Sequence, residues 1–308
     1  MKRQRYLLAL ILIFFMVIIA QITGQKEIIF PEFVALTIGA WVSNRQPWLA
    51  NKRRIFFLLS ISSFIGVFIV KFLKIALIAK ICIAFIFTAI ALTIAQSTLL
   101  PIISACILPI YLNVSTLVYP ISVTVLASII ILFQWLLEKN RLKPKNVFVK
   151  NNFVLKDEFE KWTKLLIVLI AISFLPIESK HLYFIAPPLI VVFTEIANPK
   201  SKMRKKPLTL ICLLSLASIV GWASRIILNC YWHLPIALCA VFACFVLFQV
   251  FQKTNTLFPP AGAILILPIL LSVKDLAFYP LEVTIGSFIF IASALFLFKD
   301  KSANKNLA

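Results

Sequence analysis

The sequence predicts an all-α, polytopic membrane protein of about twelve segments, built as two tandem, parallel repeats of six. Hydrophobic residues make up 62% of the 308-residue chain and charged residues 14%, whereas a soluble domain has roughly half and a quarter. The apolar stretches are long and continuous, which favours membrane helices over a barrel of alternating strands. A pattern in the first half also returns in the second half, and this duplication predicts the two repeats.

The duplication is clearest around two Tyr-Pro pairs. Leu108-Pro109-Ile110 and Tyr119-Pro120 return as Leu267-Pro268-Ile269 and Tyr279-Pro280, at an offset of 159 to 160 residues. Six crossings is an even number, so both repeats have the same orientation, and such architectures place a transport site between the halves. The predicted organisation is a first membrane repeat at 1–137, a cytoplasmic linker at 138–161, a second membrane repeat at 162–298 and a cytoplasmic tail at 299–308.

Each repeat has two segments that are shorter than the rest and begin at proline. The predicted segments are 6–24, 28–43, 54–73, 75–96, 99–113 and 118–137, then 162–178, 182–197, 207–229, 232–252, 256–273 and 278–298. The short ones begin at Pro31, Pro101, Pro187-Pro188 and Pro259-Pro260, and proline suits the first turn of a helix. Two interpretations stay open: short, tilted helices, or half-helices that follow unwound backbone.

Basic residues are distributed unevenly between the loops. If the amino terminus is cytoplasmic and every segment crosses, 23 of the 31 Lys and Arg residues lie inside and 7 lie outside. The positive-inside rule therefore predicts a multi-pass protein of the cell membrane with both termini in the cytoplasm. These residues lie between apolar runs and form no aromatic-basic stripe, so the net charge of +20 predicts no nucleic-acid partner.

The starts of segments 5 and 11 are the predicted substrate site. Several backbone N–H groups are unpaired at a helix start, and the helix dipole places about half a positive charge there, so such ends bind anions. Small residues after the prolines allow a ligand to approach closely. The predicted lining residues are Pro101, Ser104, Pro259, Pro260 and Gly262.

Three charged residues complete the predicted site. Arg225 and Lys71 lie toward the outer ends of segments 9 and 3, where they would attract an anion to the entrance. Snorkelling to the interface is the other interpretation of Arg225. Glu195 lies near the cytoplasmic end of segment 8, and it is either paired with the basic cluster 200–206 or a carboxylate that binds a proton or the substrate.

Motifs of catalysis and of metal or nucleotide binding are absent from the sequence. The six cysteines form no Cys-x-x-Cys pair, and neither His181 nor His233 has a partner at metal-ligand spacing. Gly-rich phosphate loops and Gly-x-Ser-x-Gly nucleophile motifs are also missing. We therefore expect no cofactor, no bound metal and no enzymatic activity.

Several short stretches resemble the HPP family of integral membrane proteins. Phe258-Pro259-Pro260-Ala261 resembles the His-Pro-Pro helix start of that family, with Phe in place of His. The stretch 35–50, continuing to Gly66, is similar to the earlier part of the family pattern, and 279–286 resembles its closing helix. The resemblance implies a transporter of small inorganic anions such as nitrite. The chain departs from the family in three ways: it carries two copies of the pattern, it lacks the His in both copies, and its loops are more basic.

The sequence thus predicts a transporter or channel for a small inorganic anion or small polar solute, with its site at the interface of the two repeats. Its expected partners are the lipid bilayer and that solute. Two other functions stay open: a non-catalytic membrane scaffold or partner subunit, and a membrane-embedded lipid-modifying enzyme.

Overall fold

The computed structural model describes residues 2–146 and 155–298, and these residues are helical, with no strand among them. Within the described ranges the α-helices are α1 (Lys2–Thr23), α2 (Pro31–Thr37), α3 (Lys52–Phe72), α4 (Leu77–Ile94), α5 (Pro101–Tyr111), α6 (Val118–Lys139), α7 (Leu155–Glu178), α8 (Pro187–Ala197), α9 (Pro207–Ala223), α10 (Ile236–Thr254), α11 (Pro259–Leu270) and α12 (Tyr279–Leu297). A π-helix at Ile38–Val42 continues α2, and another at Ser224–Tyr231 continues α9.

These helices confirm the predicted all-α fold of about twelve segments. All four helices that were expected to begin at proline do so. Helix α7 begins at Leu155 rather than at 162, because Asp157 and Glu158 in its first turn favour a helix start within the stretch predicted as linker. Residues 147–154 of the predicted linker and the predicted tail 299–308 lie outside the described residues.

Seven of the described helices are long and apolar enough to cross a membrane: α1, α3, α4, α6, α9 with its π-helical extension, α10 and α12. Helices α5, α8 and α11 are apolar but have only 11, 11 and 12 residues. At 1.5 Å per residue they span roughly 16–18 Å, about half of a ~30 Å hydrocarbon layer. These lengths favour the half-helix interpretation of the proline-started segments.

Long helices hold the short helices in place. Helix α3 packs on α5 and α6, and α9 packs on α11 and α12. Glycine allows the closest approaches, since a Cβ on Gly66 of α3 would overlap the backbone of Cys106 in α5, and a Cβ on Gly221 of α9 would overlap the backbone of Leu265 in α11. Contacts across the middle of the chain join α2 to α11, α5 to α8, α1 to α10 and α4 to α7.

In α5 and α11 a tyrosine hydroxyl donates to the carbonyl group that an internal proline leaves without its helical donor. Pro109 has no N–H, so the carbonyl oxygen of Ala105, four residues earlier in α5, lacks its helical donor. The hydroxyl of Tyr119 donates to that oxygen at 2.9 Å. In α11, Pro268 leaves the carbonyl oxygen of Ile264 in the same position, and the hydroxyl of Tyr279 donates to it at 2.6 Å. In each repeated pattern, the tyrosine therefore donates to the carbonyl group that the proline leaves without a helical donor.

Basic side chains bind the carboxyl-terminal ends of α2 and α8. Lys143 donates to the carbonyl oxygen of Ala40 in the π-helix that continues α2. A guanidinium nitrogen of Arg204 donates to the carbonyl oxygen of Ile196 in the last turn of α8 at 2.7 Å. Cations at this end complement the helix dipole and satisfy carbonyl groups that have no helical donor. Part of the basic charge in the connecting segments is thus structural.

The tyrosine–proline pairing predicts a compensating double substitution. Tyr119→Phe leaves the buried carbonyl of Ala105 without a donor and should lower the free energy of unfolding by about 1–3 kcal/mol. Pro109→Ala restores an amide that can donate to the same oxygen, so the double variant should recover part of the loss. Thermal unfolding in detergent measures both effects. Equal midpoints for the single and double variants would show that the hydroxyl does not serve this carbonyl.

The buried ammonium of Lys143 predicts a pH-dependent stability. Burial lowers the pKa of Lys143 from 10.5 to about 8, although the carboxylate of Glu138 opposes the shift. Between these two values the unfolded chain binds more protons than the folded chain, so the free energy of unfolding rises with pH, by at most about 1.4 kcal/mol per pH unit.

Lys143→Met should remove this contribution. Between pH 8 and pH 10 the melting temperature of the wild-type protein should therefore rise relative to that of the variant. A difference that stays constant across this range would contradict the lowered pKa.

Candidate functional site

A small internal cavity lies where the first turns of the four short helices meet. It is lined by Glu32 and Ala35 of α2, Pro101 of α5, Pro188, Val191 and Glu195 of α8, Pro259, Pro260 and Ala263 of α11, and the loop residues Pro47 and Trp48. The cavity offers about 20 Å³ to the centre of a water molecule, and a single water needs about 10–15 Å³ measured this way. We call this space the central cavity.

Proline and packing together explain why four helices begin inside the protein. The ring sets φ near the helical value, and the missing N–H would have had no partner at a helix start. Phe30 before α2 and Phe258 before α11 are extended and buried, so an unwound residue leads directly into each helix. Because α2 packs on α11 and α5 packs on α8, all four starts converge.

Glu32 is the most deeply buried acid of the cavity, with 2% of its surface exposed. Its Oε1 accepts a hydrogen bond from the hydroxyl of Ser104 in the first turn of α5. Its Oε2 is buried and has no hydrogen-bond partner. No Lys, Arg or His lines the central cavity. A carboxylate in such surroundings is expensive to ionise, and side chains of this kind mark functional sites in membrane proteins.

Glu195 joins the central cavity to a larger open pocket. This pocket, which we call the vestibule, is lined by residues 47–49, 92–100, 158–162 and 194–203 in part, and it offers about 420 Å³ to the centre of a water molecule. The basic side chains of Lys161, Lys200 and Lys202 line it together with Glu158 and Glu195. Glu195 is half-buried and, among the described residues, takes part in no salt bridge. Glu195 therefore shares the vestibule with Lys200 and Lys202 of the cluster 200–206 without a direct ion pair.

Trp48 stands at the boundary between the two spaces. Its side chain lines both the central cavity and the vestibule, although only 7% of the residue is exposed. The indole lies against Gly39 in the π-helix that continues α2, and a Cβ at that glycine would overlap the ring. Gly39 thus provides the recess in which the indole sits.

Five of the eight predicted site residues meet at the cavity. Pro101, Pro259, Pro260 and Glu195 line it, and Ser104 binds Glu32 at its wall. Gly262 lies one turn further along α11, where its missing Cβ allows Val34 and Ile38 of the neighbouring segment to pack closely. This glycine serves helix packing rather than the lining.

The two predicted cations at the entrance lie elsewhere. Lys71 is exposed at the end of α3, with its ammonium 5.7 Å from the ring centre of Phe72. Arg225 lies in the π-helix that continues α9 and donates to the side-chain oxygen of Asn229. Neither residue lines the central cavity or the vestibule, because both helix ends point away from the convergence of the short helices.

Part of the expected row of free amides is absent from the starts of α5, α8 and α11. Proline removes the first donor of each helix, and a second proline removes the next donor in α8 and α11. The following amides donate to the preceding turn: Ile102 to Leu99, Ile103 to Leu100, Leu189 to Ala186 and Ala261 to Phe258, at 2.7–3.3 Å. These local bonds use part of the amides at the helix starts. The expectation of an anion site built from the remaining N–H groups stays a prediction.

Glu32 is the site residue that sequence reasoning missed. It follows Pro31 in a first turn, a position where a carboxylate is ordinarily explained by the helix dipole. The available signal was that this acid lies within an apolar segment, where burial rather than solvent exposure was the better expectation. The described residues contain no group of three His, Cys, Asp or Glu side chains that could hold a metal ion.

The position of Trp48 predicts that it covers the cavity. In a background without the native cysteines, a cysteine in place of Ala263, which is 1% exposed, should react slowly with a water-soluble thiol reagent. Adding Trp48→Ala should raise the reaction rate several-fold. Trp135→Ala is the matched control, because that indole is 46% exposed and lies away from the cavity. Equal rates with and without Trp48 would contradict the covering role.

Comparisons with known proteins identify no relative of this chain. No protein-family model matches it, and it is significantly similar to no curated protein and no solved structure.

Proposed function

We propose that this protein is a multi-pass membrane transporter that moves a small polar solute through the central cavity. The observation that carries the proposal is the convergence of four proline-started short helices on a cavity with a buried, half-satisfied carboxylate. Discontinuous helices that meet at a midplane site are the common construction of secondary transporters. A scaffold has no need of an unpartnered acid in its interior, which costs stability.

The packing supports two repeats with a two-fold axis between them. Matching α1–α6 to α7–α12 turns the α2–α11 contact into the α8–α5 contact, and the α1–α10 contact into the α7–α4 contact. All four contacts occur, as do both tyrosine–carbonyl bonds. The central cavity then lies on the interface of the repeats, where rocking of the two halves would expose it to each side in turn.

The lining favours a solute with a positive charge or hydrogen-bond donors over an anion. Among the described residues, two carboxylates and no basic side chain line the cavity. Proline or a local turn also removes several of the amides expected to hold an anion in α5, α8 and α11. Lysines in the vestibule are separated from the cavity by Trp48 and Glu195. An anion would have to pass these acids, unless they are protonated.

The charge distribution supports an orientation in the cell membrane with the vestibule toward the cytoplasm. The loops that form the vestibule belong to the basic side of the chain, and 23 of 31 Lys and Arg residues lie on that side. Both termini would then be cytoplasmic. The described conformation has its open pocket on this side, so it corresponds to an inward-facing state. The relation to the HPP family stays a prediction.

Transport can be measured with the purified protein in liposomes. Uptake of a small organic cation such as methylammonium, a neutral amide such as urea, and the anions nitrite, formate and chloride should be compared. We expect uptake of the cation or the amide to exceed that of the anions. Glu195→Gln should lower this uptake about tenfold, which corresponds to about 1.4 kcal/mol, because this carboxylate lines both the central cavity and the vestibule.

Glu178→Gln is the matched control, since this exposed acid at the end of α7 should leave uptake unchanged. Absence of uptake for all three solute classes would overturn the transporter proposal. Uptake of anions alone would overturn the substrate class and leave the transporter standing.

A further inference from the structure

The second oxygen of Glu32 is a buried polar atom without a partner at the wall of the central cavity. Ser104 satisfies Oε1, while Oε2 is buried at the wall of the central cavity without a partner. An ionised carboxylate left in this state would carry a large desolvation cost. Either a cation must lie beside the carboxylate, or a proton must bind it and make the acid neutral.

The charged and titratable groups around Glu32 offer no partner. Helix α5 carries Ser104 and Cys106. Helix α6 carries Tyr119, whose hydroxyl donates to the carbonyl oxygen of Ala105. Helix α11 has no titratable side chain. Lys143 binds the far end of the segment that contains α2, and Arg5 of α1 binds Leu142 and Asn44 near the same end. The remaining group is Glu195 of α8, a second acid across the cavity.

A metal cation does not fit these surroundings. Among the lining residues only Glu32 and Glu195 carry side-chain oxygens, whereas hard cations take about six or more oxygen ligands. Helix starts present N–H groups rather than carbonyl oxygens to a cavity. The space accepts about one water. A proton needs one oxygen and no coordination shell, and the free Oε2 supplies that oxygen.

We propose that Glu32 is the proton-binding site that couples transport to proton movement, and that Glu195 delivers the proton from the vestibule. The Glu195 carboxylic acid gives its proton through one cavity water to Oε2 of Glu32, and becomes a carboxylate as Glu32 becomes the acid. Glu195 then takes a new proton from vestibule water. The proposal rests on the transport function above and adds its driving ion.

Ser104 is a positioning residue in this scheme. Its hydroxyl holds Oε1, so the proton is directed to the oxygen that faces the cavity. Neutral Glu32 also carries no charge to bury, so binding of the proton favours closure of the halves around a solute. The proton thus determines when the cavity can change sides.

Infrared difference spectroscopy tests the proton site without any need for transport. Protein that carries Glu195→Gln, reconstituted in lipid, should show the carbonyl band of a protonated carboxylic acid at neutral pH, and adding Glu32→Gln should remove it. Ser104→Ala should shift this band, since the acid loses a hydrogen bond. Glu178→Gln should leave it unchanged. A band that persists after Glu32→Gln is added to Glu195→Gln, or no acid band in the protein with Glu195→Gln alone, would overturn the proposal.

Solute uptake under a pH gradient tests the coupling. Wild-type uptake should rise several-fold when the gradient drives protons in the direction of the solute, and Glu32→Gln should lose this dependence. Uptake that is equally dependent on the gradient in both proteins would overturn the coupling. Because the infrared band requires only folded protein, the band in the protein with Glu195→Gln together with no uptake by the wild-type protein would overturn the transport function and leave the proton site in place.

Discussion

The architecture depends on satisfying the backbone of helices that begin and end inside an apolar protein. A helix start has unpaired N–H groups and a helix end has unpaired carbonyl groups, and neither can turn to water here. At the starts, proline removes donors and tight turns bind the next ones. At the ends, Lys143 and Arg204 supply donors to carbonyl groups of the α2 and α8 segments. These bonds lower the cost of placing short helices inside the protein.

The same constraint gives some basic residues a structural role as well as an effect on orientation. Charge placement orients the proposed membrane protein, since lysine and arginine are retained on the cytoplasmic side. Within the described residues, some of those charges also lie against helix ends, where a lysine or arginine stabilises the dipole as well as the carbonyl. A substitution in these segments can therefore act on folding as well as on orientation.

Much of the fold was predictable from hydropathy and proline positions, whereas the chemistry of the site was not. Twelve apolar stretches gave twelve helices, and proline marked four starts, because both signals are local. The cavity required knowing that α2 meets α11 and α5 meets α8, which no local pattern contains. The burial of Glu32 arises from those contacts, so its place in the first turn of α2 alone indicates only an interaction with the helix dipole. The anion hypothesis relied on free amides. Several of these amides donate to carbonyl groups in local turns, and only the backbone geometry reveals this.

The second residue of α2 is Glu32, whereas the second residue of α8 is Pro188. The two helices hold corresponding places in the packing, yet one offers an ionisable group and the other a rigid ring. If α1–α6 and α7–α12 are the proposed repeats, the halves differ in chemistry at this position. A solute between them would then meet an ionisable side chain on one wall and a rigid ring on the other, so the two sides of the cavity would not be equivalent.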